Sequence, residues 1–184
     1  MESLMKSTFS LLLTMLLLIS SSLSAGDGYR DIPWGSSKNA TRKVALEYFG
    51  DNYYETESKL IFTDSFQGND AIYTFVFSQD SLHTVAIQSE LPYLLTDEKT
   101  FSDMFDKSEK EVEKLIRRVS AKYGQPVLQE KVGTDLFLRW ELDDTEIELF
   151  VERSYKYKMI MTYRWISYFE KKLEKRQQKY LNEL

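Results

Sequence analysis

The chain has no cysteine, and that absence removes disulfides, thiolate metal sites, a thiol nucleophile and lipid attachment through a cysteine. Whatever holds the fold must therefore come from its core. Histidine is almost absent too: His83 stands alone, and no carboxylate lies at a helical or strand spacing suited to share a metal with it. No Gly-x-Ser-x-Gly, no phosphate-cradling glycine loop, no His-Glu-x-x-His and no zinc spacing occurs, so no catalytic residue, cofactor or metal is expected. With 3 prolines and 7 glycines the chain is no linker or low-complexity segment, and a basic excess is missing, since the net charge is -5. That charge gives no general attraction to nucleic acid.

What is present begins with an apolar run from Phe9 to Ile19, preceded by Lys6 and followed by Ser20, Ser21, Ser22, Ser24 and Ala25. The run is shorter than the roughly 20 residues of a membrane span, and small residues follow it, the pattern of a secretory signal peptide. The expected organisation is a signal peptide over residues 1–25 and one α+β domain over 26–184, with a core to 166 and a helix from 167. Export implies a periplasmic or secreted protein.

The stretch from Asp135 to Trp165 sets its own register. A two-residue turn at Asp143-Asp144 pairs Trp140/Ile147, Leu138/Leu149 and Leu136/Val151 on one apolar face, with Phe137/Phe150 and Arg139/Glu148 on the other. A second hairpin then pairs Val151/Met159, Leu149/Met161, Ile147/Tyr163, Glu152/Lys158 and Glu146/Arg164. A slip of one residue would turn each apolar set outward, so the two hairpins support one another. Asp143 and Asp144, with Glu141, Glu146 and Glu148, make an acidic hairpin end. Alternation throws successive strand carboxylates to opposite faces, so a solvated tip is expected there rather than a calcium site.

Upstream, Ser36 or Ser37 caps a helix over Lys38–Phe49 that Gly50 ends, and Trp34 sits where it can fold back over the helix start. Trp34 is read as packing, with aromatic recognition as the functional alternative. Strands are expected over Lys59–Phe66, Ala71–Phe77 and Leu82–Ser89. A two-residue turn at Gln79-Asp80 pairs Phe77/Leu82 and Tyr73/Ala86 on one face, with Ile72/Ile87 and Val76/His83 on the other. Both faces then carry apolar residues, so cover on both sides is expected. A long helix from Lys99 or Phe101 to Tyr123 follows, with Phe101, Phe105, Ser108, Val112, Leu115, Ile116, Val119 and Tyr123 on one stripe, and Gly124 and Pro126 stop it. The order is helix, strands, helix, strands: antiparallel meanders, each preceded by a helix, in two halves of weak mutual similarity.

Ser167–Leu184 reads as an amphipathic helix with Phe169, Leu173, Tyr180 and Leu184 on an incomplete stripe. Its first half is expected to pack on the sheet through Phe169 and Leu173, and its second half to project.

Pro33-Trp34-Gly35-Ser36-Ser37, Tyr73-x-Phe75, Leu82-x-x-Val85, Lys122-Tyr123-Gly124-x-Pro126, Ile147-x-Leu149 and Ile160-x-x-Tyr163 together resemble a family of exported bacterial proteins of unknown function. The chain is also distantly similar to helix-plus-antiparallel-sheet modules of outer-membrane assembly accessory proteins and secreted protein inhibitors. The resemblance implies an envelope location and a non-enzymatic role in binding another protein, and it carries over no catalytic residue. The candidate interaction residues are Trp34, Phe137, Phe150, Lys175, Lys179 and Tyr180. No nucleic acid is an expected partner, membrane contact is expected only through the C-terminal helix, and a small apolar ligand or lipid is the alternative occupant.

Overall fold

The computed structural model describes residues 27–91, 98–153 and 157–182, with the backbone alone for residues 91 and 98–105. The expected signal peptide, the side chains of Phe101 and Phe105, and Leu184 lie outside the described residues. A short hairpin of β1 (Gly28–Tyr29) and β2 (Ile32–Pro33) leads into α1 (Lys38–Phe49), followed by β3 (Tyr53–Glu55), β4 (Lys59–Phe66), β5 (Asn69–Ser78) and β6 (Ser81–Leu91). Then come α2 (Glu98–Tyr123), β7 (Leu128–Val132), β8 (Asp135–Leu142), β9 (Thr145–Arg153), β10 (Tyr157–Trp165) and α3 (Ile166–Asn182). Strands β3 to β10 form one antiparallel sheet in the order β3-β4-β5-β6-β10-β9-β8-β7. The α+β class, with a helix before each meander and a helix at the end, is the one the sequence implies.

Each unit pairs its strands in the same register. Tyr53/Phe62, Leu60/Phe75 and Asp64/Ala71 recur at a constant offset of 76 residues as Gln129/Leu138, Leu136/Val151 and Trp140/Ile147. The last strands of the two units, β6 and β10, lie side by side and antiparallel. Tyr73 faces Ile87, its counterpart Leu149 faces Met161, and Ile87 and Met161 face each other, so a local two-fold axis runs between that pair. The two halves are one continuous sheet built twice from the same plan.

The core lies on one side of this sheet. Ala45 and Phe49 of α1 and Val112, Leu115 and Val119 of α2 join Leu60, Phe62, Tyr73, Phe75, Val85, Ile87, Leu138, Trp140, Ile147, Leu149 and Met161 in a single buried cluster. Phe49 packs its ring 5.3 Å from Phe62 and 4.6 Å from Tyr73. Both helices stop as the sequence implies: Gly50 and Gly124 adopt φ of 74° and 86° and donate their N–H to Leu46 and Ser120. Ser37 is the cap of α1, its hydroxyl accepting the Ala40 N–H.

The register from Asp135 to Trp165 is the expected one at every pair named above. The first meander differs. Phe77 faces Leu82, but Tyr73 faces Ile87 rather than Ala86, Ile72 faces Gln88 rather than Ile87, and Val76 faces Thr84 rather than His83. A bulge causes the shift: one residue is inserted at His83-Thr84, so Leu82 and Val85 both reach the core while His83 and Thr84 stay half-buried on the far side. The bulge carries Ile87 to the core face, which corrects the expectation of cover on both sides: among the described residues α1 and α2 both cover one face, and only the base of α3 touches the other. The edge strands β3 and β7 were not expected either; both are short, and each is held by one neighbour only.

Candidate interaction face

The uncovered face is ordered in rows across the strands. One row runs Thr63, Ile72, Gln88, Ile160, Phe150, Phe137. The next runs Ile61, Thr74, Ala86, Thr162, Glu148, Arg139, and a third runs Lys59, Val76, Thr84, Arg164, Glu146, Glu141. Alternation along each strand places these side chains opposite the core, so this face is fixed by the same pattern that fixes the core. Phe137 and Phe150, two of the expected interaction residues, are cross-strand partners here and half-buried, and Ile72 on the same row is exposed.

The charges of this face form a network short of cations. Arg164 meets Glu148 at 2.6 Å and Glu146 at 3.1 Å, while Arg139 meets Glu141 at 3.4 Å and Glu146 at 3.7 Å. Three carboxylates thus share two guanidinium groups. Burial raises the Glu148 carboxyl above its ordinary value, the Arg164 charge lowers it, and neighbouring Glu146 raises it again. Of its ion pairs the sequence implies Glu146/Arg164; Arg139 and Glu148 face each other in register as expected, but Arg139 turns to Glu141 and Glu146 and Glu148 turns to Arg164. What the sequence did not reveal is that Arg164 is shared between Glu146 and Glu148.

At one end of this face the chain passes from β10 into α3 without a linker. Asp144, in the β8–β9 turn, sets the direction: its carboxylate accepts the Ser167 N–H at 2.8 Å, the Ser167 hydroxyl at 2.6 Å and the Trp165 indole N–H at 2.6 Å. Its main-chain carbonyl accepts the Ile166 N–H. Burial works against ionisation of Asp144, yet the hydrogen bonds from Ser167 and Trp165 outweigh it and hold the carboxyl below its ordinary value. So the acidic hairpin end caps a helix, and among the described residues no three possible ligands converge on a metal position.

The bulge supplies the second support of α3. His83 stacks flat on Tyr168 at 4.5 Å, meets Phe169 edge-on at 5.6 Å, and its Nδ1 lies 2.9 Å from the Thr84 hydroxyl. Burial, and then the nearby Lys172 charge, lower the His83 pKa below its ordinary value. Beyond this contact the helix leaves the body. Leu173 is 57% exposed, Tyr180 70% and Leu181 71%, and no side chain of α3 is buried. The expected docking of the first half through Phe169 and Leu173 holds at Phe169, which packs on His83 of β6, and is corrected at Leu173, which is exposed. The helix goes where its capped first turn points, and that turn points it off the sheet.

Of the other expected residues, Lys175, Lys179 and Tyr180 lie on this projecting helix and are exposed. Trp34 is elsewhere. Its indole N–H donates to the buried Thr145 hydroxyl at 2.7 Å, and the backbone beside it pairs with β6 through Gly35 N–H to Leu82 O and Leu82 N–H to Ser36 O. It packs half-buried against the core at the seam between the halves. A groove of about 420 Å³ opens at the base of α3, lined by Glu146, Arg164, Ile166, Phe169 and Glu170. Compared with known proteins, the chain matches no family model, no curated protein and no solved structure.

Proposed function

We propose that this chain is an exported, non-enzymatic protein of the cell envelope that binds another protein through the uncovered face of its sheet. The observation that carries the reading is the row Ile72, Ile160, Phe150, Phe137, which lies beside a cation-poor charge network with neither helix of the core over it. Apolar side chains flanked by unbalanced charge suit a partner segment that is amphipathic and basic, because it would cover the row and complete the network. The filled core, with Phe49, Phe62, Tyr73 and Trp140 packed in it, favours a protein partner over a small apolar ligand. Export rests on the apolar run from Phe9 to Ile19.

The test compares the protein with its Phe137→Lys, Phe150→Lys variant as bait in the envelope fraction of its host, with the recovered proteins quantified. The proposal expects at least one partner to be retained by the native face and lost by the variant, in an assay run well below the melting temperature of both baits. Identical recovery on both baits, or none on either, would sink it.

A further inference from the structure

We infer that α3 is a docking arm for a second copy of this chain, lying across that copy's uncovered sheet face while the other arm does the same in return. The inference rests on the protein-binding reading of that face and names its occupant. A helix of 17 residues with no buried side chain is marginal in water, so exposed Phe169, Leu173, Tyr180 and Leu181 call for a surface to cover them. The arm's own sheet cannot provide it. β10 ends at Trp165, α3 begins at Ile166, and the Asp144 carboxylate fixes the first turn, which leaves no slack to fold back.

Charge identifies the occupant. From Ser167 onward the chain holds Lys171, Lys172, Lys175, Arg176 and Lys179 against Glu170, Glu174 and Glu183, a net of +2 in a protein of net -5, so all that precedes it carries -7. Lys172 and Arg176 follow Phe169 and Leu173 by three residues each and so flank the apolar stripe. Laid with Leu173 and Tyr180 on the Phe137, Phe150, Ile160 row, the arm brings these cations toward Glu141, Glu146 and Glu148, which have two arginines among three carboxylates. The sizes agree: 17 residues make a helix of about 25 Å, the width of five strands at roughly 4.8 Å spacing. One arm covers too little for a lasting complex, and two reciprocal arms bring the contact toward the roughly 1,200–2,000 Å² that such complexes bury. An anionic lipid surface would match the arm but repel the acidic body behind it.

Sedimentation velocity on the full mature chain tests this, beside an arm variant (Leu173→Asp, Tyr180→Asp) and a face variant (Phe137→Lys), each checked for an unchanged fold by circular dichroism. The expected result is a dimer that dissociates as salt rises, monomers for each variant alone, and association weaker than the native dimer's but above that of either variant alone when the two are mixed, because one intact arm then meets one intact face while the reciprocal contact is lost. A native chain that stays monomeric at about 100 µM, or variants that dimerise like it, overturns the inference. A monomer that floats with phosphatidylglycerol vesicles through Leu173 and Tyr180 overturns it in favour of lipid. In each case the bait comparison above still decides separately whether the face binds a protein.

Discussion

The two halves of this molecule share one face and differ on the other. On the core side Leu60, Phe62, Tyr73 and Phe75 have Leu136, Leu138, Leu149 and Val151 as their counterparts, all apolar and buried. On the uncovered side Ile61, Thr63, Ile72 and Thr74 of the first half answer to Phe137, Arg139, Glu148 and Phe150 of the second. The packing demand is common to both, because both helices press on the same face, whereas the solvent side is free to diverge. The charges and rings that suit a partner have collected in the second half, beside the arm. Two smaller differences build the arm's base: Asp144 stands in a turn where the first half has Gly68, and the bulge that presents His83 occurs in β6 and not in β10.

The sharpest way to break this comparison is to truncate neighbours on opposite faces of β9. Leu149→Ala is expected to cost about 2–5 kcal/mol in urea unfolding, and Phe150→Ala, half-buried on the uncovered side, roughly 1 kcal/mol or less beyond lost cross-strand contact. Equal losses would mean that both faces are core. Next in size is the seam. Trp34→Phe leaves the buried Thr145 hydroxyl without its indole donor and is expected to cost about 1–3 kcal/mol while unfolding remains a single transition; two separate transitions would show that the halves are independent.

Asp144→Ala should cost about 0.5–2 kcal/mol, as loss of a helix cap does, and should speed amide exchange in the first turn of α3 while leaving β8 and β9 protected. The same carboxylate gives a pH dependence of known sign. Its pKa is depressed in the folded state, so its contribution is complete above the unfolded value near 3.9 and is lost as pH falls through the folded value. His83 also has a depressed folded pKa, and because its charged form is the disfavoured one, its contribution is complete above about 6.5 and declines as pH falls below that. Melting curves at pH 7.5 and 5.5 should therefore diverge less for His83→Phe than for the native chain, with the stack on Tyr168 retained.

The smallest effect concerns the β5–β6 turn, where Gln79 and Asp80 hold φ of 50° and 59°. Gln79→Gly removes a side chain from left-handed backbone and is expected to stabilise by roughly 0.5 kcal/mol. Asp80 should be left in place, since its carboxylate accepts the Lys38 N–H and helps to cap α1.

How far the sequence could be read depended on how local the cause was. The register from Asp135 to Trp165 follows from alternation and a two-residue turn, and every pair holds. In the first meander the same reasoning fails after Leu82, because a bulge is decided by which of Leu82, His83, Thr84 and Val85 the core admits, and alternation alone does not tell. The face was legible only in part: Phe137 and Phe150 were placed on it by register, Ile72 was assigned a wrong partner, and Trp34 was drawn to the seam by a hydroxyl 111 residues away.

By itself the sequence determined the α+β class, the helix ends at Gly50 and Gly124, the core face of the second half and the acidic body with its basic tail. Each of these is set by residues within a turn or a hairpin of one another, where periodicity, capping and composition act directly. The tertiary structure alone decided that β6 and β10 join at a two-fold seam, that among the described residues neither α1 nor α2 covers the second face of the sheet, and that α3 stands off the body. Those outcomes depend on contacts between residues far apart in the chain: Ile87 against Met161, His83 against Tyr168, and Asp144 against the first turn of the helix it aims.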